Sequence, residues 1–306
     1  LPNQPILDIQ GHLPSLSLTE WQPIFKQLNS NLDISPSGIG PQPSNHEPPI
    51  VVELHFDQLE AVGQTFANLV IQAKYSQSQW QAALTGKNIE GQVSYHSPSN
   101  TPTLDLMFNR LAFTLPPKRK PAAPASTSST NEPVKEESAH DSPDPRHLPL
   151  ITFYCNTLQI GDIDLGRVNL ATQPNPTGID LLLEANTIGL NALAKAQWQY
   201  MVPRHQTYLQ GSLSSDNTGQ MLRHLGFQQP PLEGGLSQLV LNTHWLGTPY
   251  GFNLATLTGR LSILVIEGQI MAVEPGVGRL IGLFDVQTLP RRLALDFSDV
   301  FGKGLG

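Results

Sequence analysis

Residues 51–71, VVELHFDQLEAVGQTFANLVI, and residues 150–170, LITFYCNTLQIGDIDLGRVNL, carry the same pattern when their first residues are aligned. In both stretches apolar and polar residues alternate with a period of two, which is typical of β-strands with one buried and one wetter face. The alignment continues without a gap to Ile89 and Ile188. A unit of several antiparallel strands is therefore predicted to occur about twice, as in repeat proteins whose units share one continuous apolar surface.

A second internal similarity joins residues 7–13 to residues 208–213. A short amphipathic helix is predicted after each stretch, the first near 18–28 and the second capped by Asp216 at its amino end. Towards the carboxyl end, the periodicities predict strands at Leu236–Leu246 and Ala255–Val265, a short helix within 277–289 and a last strand at Leu293–Phe297.

Residues 116–148 interrupt the strand pattern. Proline, serine, alanine and charged residues dominate this stretch, and its large apolar residues are only Val134 and Leu148. Such a composition buries too little apolar surface to offset the entropy lost on ordering. We therefore predict a disordered linker at 116–148 between one unit at 1–115 and a second at 149–306.

The charge and composition exclude several classes of protein. A net charge of -7 leaves no surplus of lysine and arginine to neutralise phosphates, so nucleic acid is not an expected partner. The single cysteine, Cys155, excludes an intramolecular disulfide framework and a cysteine-cluster metal site. No apolar run approaches the roughly 20 residues that a membrane-spanning helix needs. Because the chain begins without a methionine, we expect it to be a piece of a longer protein.

The sequence contains no recognisable reaction centre. The glycines of residues 276–282 have the wrong spacing for a dinucleotide fingerprint, and no two histidines have the spacing of a metal-binding pair. Cys155 lies on the apolar side of its strand and is predicted to be a small buried hydrophobe. We therefore expect no enzyme activity, no cofactor and no metal. On periodicity alone, a sandwich or solenoid core is favoured over an open groove that accepts an apolar guest.

Residues 266–304, IEGQIMAVEPGVGRLIGLFDVQTLPRRLALDFSDVFGKG, provide the most specific motif of the chain. The run P-G-x-G-R-L-x-G-L from Pro275, then L-P-R-R-L from Leu289 and D-F-x-D-V-F-x-K-G from Asp296, strongly resembles the signature region of the YhdP-type AsmA-like proteins of Gram-negative bacteria. The resemblance covers most of 149–306 well and 1–115 more diffusely. It implies a mainly β fold, an elongated and curved antiparallel sheet that forms a groove, with a few short amphipathic helices.

The same resemblance implies a function and a location. It implies the periplasmic portion of a protein anchored in the inner membrane, a bridge-like conduit that moves phospholipids between the inner and outer membranes and supports the outer-membrane permeability barrier. Phospholipid acyl chains are then the expected partner, with both membranes contacted through parts of the protein outside these residues. The alternative is a scaffold for outer-membrane protein biogenesis that recruits a client through its strand edges without conducting lipid.

If the groove is open, the alternating apolar residues of the strands are its expected lining. These candidate groove residues are Val52, Leu54, Phe56, Leu69, Ile71, Leu84, Phe153, Cys155, Val168, Leu170, Leu183, Leu239, Leu241, Trp245, Leu261, Ile263 and Val265.

Overall fold

The computed structural model describes residues 6–18, 20, 49–61, 63–97, 101–114, 142–202, 204–224, 227, 229–230, 232–251 and 256–271. The described strands are β1 (Leu7–Ser17), β2 (Ile50–Ala61), β3 (Gln64–Ser76), β4 (Gln79–Thr85), β5 (Ile89–His96), β6 (Thr103–Phe113), β7 (Leu150–Ile160), β8 (Ile163–Asn175), β9 (Gly178–Thr187), β10 (Leu190–Met201), β11 (Arg204–Ser215), β12 (Leu232–Leu246) and β13 (Thr258–Ile270). Outside the strands lie a 3₁₀ turn at Pro145–His147 and the helix α1 at Thr218–His224.

All of these strands join one open, curved sheet of 13 strands, whose spatial order is the order of the sequence. This confirms the prediction of a mainly β, curved sheet with few helices. Most neighbouring strands are antiparallel and are connected by short turns. The alignment of the two repeated stretches places β2 on β7 and β3 on β8. One sheet runs through both copies, and the division into two separate units stays a prediction.

Two strand pairs depart from the predicted antiparallel pattern. β1 pairs with β2, and β6 pairs with β7, in parallel. A parallel pair needs a long crossover that returns the chain to the same edge, whereas a two-residue turn suffices for an antiparallel pair. The two parallel pairs occur where residues 18–49 and 114–149 separate consecutive strands. The alternation of residues predicts each strand but carries no information about its direction.

Several predictions fall outside the described residues: the helix near 18–28 apart from residues 18 and 20, the linker from 116 to 141, and everything from residue 272 onward, including most of the signature region. The last residues assigned to the linker, 142–148, include the 3₁₀ turn at Pro145–His147, in which Pro145 is buried. The described helix α1 begins one residue later than a cap at Asp216 predicts, because Asn217 is its cap. The Asn217 Oδ1 atom accepts a hydrogen bond from the Gln220 backbone N–H at 3.0 Å.

The main apolar core lies on one face of the sheet, along one set of strand ends. We call this edge the packed rim; it includes Ala61, Thr85, Phe113 and Ile160. The edge at the other end of the strands is called the aromatic rim, and it includes Ser76, His96, Met201 and Leu246. The core cluster consists of Phe56, Leu59, Phe66, Leu69, Ile89, Phe108, Leu111, Phe113, Cys155, Leu158, Ile160 and Val168. No helix in the described part of the chain is long and apolar enough to cross a bilayer.

Candidate functional site

The strand register lines up one apolar residue from every strand in a row that crosses the whole sheet. We call it the first row: Ile9, Val52, Ala73, Ala82, Val93, Leu106, Phe153, Leu170, Leu183, Ala194, Gly211, Leu241 and Leu261. Each residue faces the next across a pair of strands. Because the row runs perpendicular to the strands, it follows the long direction of the sheet.

A second row lies two positions along each strand towards the packed rim. It consists of Gly11, Leu54, Ile71, Leu84, Gly91, Phe108, Cys155, Val168, Ala185, Ala192, Leu213, Leu239 and Ile263. Residues two apart on a strand point to the same face, so both rows share one face of the sheet. Neither row contains a charged residue or a hydroxyl or amide side chain. We call this surface the apolar face.

The other face of the sheet has the opposite character. The row directly behind the first row contains Asp8, Val51, Lys74, Gln81, Ser94, Asp105, Thr152, Ala171, Leu182, Lys195, Gln210, Asn242 and Arg260. This polar face also carries the exposed pairs His12–Asp57 and His55–Glu53, whose N–O distances are 2.9 and 3.1 Å. The sheet is therefore amphipathic along its full described length.

At the packed rim, the strands bend so that the apolar face closes on itself. Phe56 and Leu59 are both buried although simple alternation would place them on opposite faces, and Phe66 and Leu69 on β3 repeat this spacing. Asn68, between the last two, has φ 51°, and Gly166 on β8 has φ 60°. Irregularities of this kind bend a strand and increase its twist. The bend folds the strand ends over and seals the packed rim with side chains.

Away from that rim, the residues that the structure describes leave the apolar face accessible. From Val52 to Leu241 the side chains of the first row are half-buried. The described elements outside the sheet contact it near its edges: α1 packs against the start of β12, and the 3₁₀ turn contacts β9 and β10 near Tyr200. A half-buried apolar row between two bordered edges is the geometry of a groove whose floor a long apolar guest could reach.

Small residues meet in the floor of this groove at β9–β11. Ala194 faces Gly211 across β10 and β11, and Ala185 faces Ala192 across β9 and β10. Sequence reasoning missed these positions because it searched for large apolar residues. A glycine inside a strand often marks a bulge or a place where a ligand or another backbone approaches closely. Only the strand register shows that several of the small residues are neighbours.

All of the candidate groove residues lie on the apolar face. Six belong to the first row and seven to the second, while Phe56, Leu69, Trp245 and Val265 lie further along the same strands. Some of them are core residues, however: Phe56, Leu69, Cys155, Val168 and Trp245 are at most 4% exposed. These five are packed among protein atoms, and only the others are accessible to a guest. That the accessible ones contact a lipid stays a prediction.

Burial favours the neutral forms of two titratable groups on the apolar face, Cys155 and His205. Burial raises the pKa of the Cys155 thiol, so the thiolate needed for nucleophilic chemistry is disfavoured. Burial lowers the pKa of His205, against the opposing field of Asp144. In the described part of the chain, no group of three or more histidine, cysteine, aspartate or glutamate side chains is arranged to hold a metal ion.

His205 belongs to an aromatic cluster at the aromatic rim. Its ring stacks on Tyr200 with centroids 4.6 Å apart, and the Trp198 indole N–H donates to its Nδ1 atom at 3.1 Å. Arg146, which is paired with Asp144, lies over the Tyr200 ring at 5.5 Å. Because Nδ1 accepts a hydrogen bond, the neutral ring carries its proton on Nε2. Protonation would turn Nδ1 into a donor and break this contact.

We expect acid to destabilise the fold through His205. Its folded-state pKa lies below the unfolded value of about 6.5, so the unfolded chain binds the extra proton and stability is lost as the pH falls below about 6.5. One such proton contributes a slope of at most about 1.4 kcal/mol per pH unit. Urea unfolding at pH 7 and pH 5 should show that His205→Phe removes this contribution. His12→Phe, on the polar face, should not; an unchanged slope in His205→Phe contradicts the prediction.

Comparison with known proteins adds an independent finding. The family model described as YhdP protein matches residues 1–306. Among curated proteins, the chain is similar to the Intermembrane phospholipid transporter YhdP of Escherichia coli (strain K12), with 28% identity over 112 residues. That match covers 36% of this chain and 9% of the E. coli protein, so the chain spans only a small part of that relative's length. No solved structure matches the chain.

Proposed function

Because the chain belongs to the YhdP protein family, we propose that its apolar face carries the acyl chains of phospholipids between the inner and outer membranes. The observation that supports this most strongly is the continuity of the two apolar rows from β1 to β13. A guest that moves along the sheet meets an apolar residue at every strand. The polar face meanwhile keeps the protein in contact with water.

The energetics of lipid movement fit such a surface. Exposing an acyl chain of about 16 carbons to water costs a free energy of roughly 0.8 kcal/mol per methylene, or on the order of 13 kcal/mol in total. A continuous apolar floor removes much of this barrier while the headgroup stays in water. No bond is made or broken, so the proposed function requires no catalytic residue.

The dimensions of the sheet support a role as one segment of a longer conduit. Strands in a sheet are about 4.8 Å apart, so the row from Ile9 to Leu261 extends over about 58 Å. This exceeds the roughly 30 Å of a bilayer's hydrocarbon core. We place the chain in the periplasm, with membrane attachment supplied by other parts of the protein.

The proposal predicts that a charge in the floor of the groove expels lipid. Leu183 and Leu182 are neighbours on β9, with Leu183 in the first row and Leu182 on the polar face. A photoreactive benzophenone residue at Leu170, which faces Leu183 across β8 and β9, reports local lipid. Leu183→Asp should lower lipid crosslinking at least tenfold, because burying an unpaired carboxylate costs several kcal/mol. Leu182→Asp should leave crosslinking within twofold.

Equal crosslinking in the two aspartate variants would contradict a lipid path on this face. Mass spectrometry of the chain extracted from native membranes tests the alternative role. A stoichiometric protein client with no bound phospholipid would overturn the conduit and favour a scaffold for outer-membrane protein biogenesis.

A further inference from the structure

Three aromatic side chains stand side by side on β3, β4 and β5 at the aromatic rim. Tyr75 faces Trp80 across one strand pair, and Trp80 faces Tyr95 across the next. The Tyr75 and Trp80 ring centroids are 5.1 Å apart and the rings are tilted by 38°. We call these three residues the aromatic ladder.

The ladder lies at the boundary between the apolar face and solvent. Each member is two positions from a first-row residue on its own strand, so it shares the apolar face with Ala73 and Ala82. Trp80 is 38% exposed, and the two tyrosines are half-buried. Tyrosine and tryptophan suit a boundary of this kind because each joins a large apolar ring to a polar tip. The small alanines beside them leave room for a guest under the ladder.

The hydroxyl and indole N–H groups of the ladder could donate hydrogen bonds to a ligand. The hydroxyls of Tyr75 and Tyr95 and the indole N–H of Trp80 make no hydrogen bond with the other residues that the structure describes. They are three donors at the height where the ester and phosphate groups of a lipid would lie if its acyl chains rested on the first row.

The charges near the ladder discriminate between headgroups. Lys74 and His96 adjoin Tyr75 and Tyr95 in sequence and therefore point to the polar face. Within the described residues of β2–β5, no lysine, arginine or histidine lies on the apolar face. An anionic headgroup therefore finds no cation to pair with there. A headgroup ammonium, in contrast, is attracted to the face of an aromatic ring within about 6 Å.

We propose that the aromatic ladder is a headgroup site for zwitterionic, amine-bearing phospholipids. The ammonium group lies over the rings of Tyr75, Trp80 and Tyr95, their polar tips donate to phosphate or ester oxygens, and the acyl chains rest on the first row. This inference depends on the proposed lipid-carrying function and adds a preference for one headgroup class. Phosphoethanolamine and phosphocholine headgroups share the required ammonium, and the experiment separates them.

The test measures which lipids the full chain takes up from mixed vesicles. Vesicles contain equal parts of phosphatidylethanolamine, phosphatidylcholine and phosphatidylglycerol with identical acyl chains, and bound lipids are extracted and quantified by mass spectrometry. Cation–π attraction at a partly exposed site predicts that at least one of the two amine lipids is enriched about two- to fivefold over phosphatidylglycerol. Combining Tyr75→Leu, Trp80→Leu and Tyr95→Leu should bring this ratio to about one, with total lipid within twofold, because leucine preserves the apolar surface.

Two controls separate the rings from their polar tips and from general effects of substitution. Tyr75→Phe combined with Tyr95→Phe should keep the preference for amine lipids, because the ring faces remain. Tyr208→Leu removes an exposed tyrosine from the polar face and should also leave the ratio unchanged.

The outcomes distinguish the two proposals. Equal uptake of the three lipids by the unmodified chain, or a preference that persists in the triple leucine variant, overturns the headgroup site and leaves the conduit intact. Absence of bound lipid in the unmodified chain overturns both. Thermal unfolding of the triple variant within a few degrees of the unmodified chain shows that a lost preference comes from the ladder and not from unfolding.

Discussion

Ala194→Trp is expected to reduce phospholipid transfer by the full chain at least tenfold while leaving most of its bound lipid in place. Ala194 lies in the first row on β10, between Leu183 and Gly211. It is half-buried, and its methyl group leaves the floor of the groove low at this point. An indole ring occupies the space that an acyl chain would cross.

The variant is expected to lower the rate of lipid transfer much more than the amount of bound lipid, because a moving lipid crosses the strands one after another. A lipid that moves along the rows has to pass every strand, so one obstruction on β10 interrupts the whole route. Lipids that rest on β2–β8 are not displaced, because that part of the floor is unchanged. A scaffold that binds lipid only incidentally would instead show little dependence of its function on this one position.

The measurement is transfer of a fluorescent phospholipid between donor and acceptor vesicles, compared with bound lipid determined by extraction. Gln197→Trp is the matched control, because it places the same ring on the same strand but on the polar face, where Gln197 is exposed. This variant should transfer lipid within twofold of the unmodified chain. Transfer by Ala194→Trp at more than half the unmodified rate would show that lipids do not move along the first row.

That the candidate groove residues share one face of the sheet was predictable from the sequence, because side chains alternate between the two faces with a period of two. Once Val52 and Leu54 are assigned to a strand, their side chains have to share a face. The repeat then extends the same assignment to Phe153 and Leu170. No knowledge of strand pairing is needed for this step, and every candidate groove residue accordingly lies on the apolar face.

The accessibility of each position was not predictable, because it depends on curvature. Phe56 and Leu54 have the same pattern in the sequence, yet Phe56 is 4% exposed and Leu54 is half-buried. The difference arises where β2 and β3 bend together at the packed rim. The left-handed backbone of Asn68 contributes to that bend, and an asparagine in a polar position of a strand gives no clear signal of it. The parallel pairing of β6 with β7 depends likewise on the path of residues 114–149.

Phe108→Ala is expected to lower the free energy of unfolding by about 3–5 kcal/mol, the usual cost of deleting a buried phenylalanine side chain. Phe108 is 7% exposed and lies on β6, at the parallel junction with β7. Its ring is 6.0 Å from the Phe153 ring, measured between centroids. It also covers Gly91 on β5 so closely that a Cβ atom there would come within 2.4 Å of the Phe108 ring.

The adjacent residue provides a control that isolates burial from strand propensity. Met107 is 59% exposed on the polar face of the same strand, and Met107→Ala should change the unfolding free energy by less than about 0.5 kcal/mol. Urea unfolding of the full chain measures both variants. A cost below about 1 kcal/mol for Phe108→Ala would mean that the second row is open at β6 and that an acyl chain reaches it there. A large cost instead supports a groove whose second row is closed by core packing at β6–β8, so that lipid crosses this junction along Leu106, Phe153 and Leu170 of the first row.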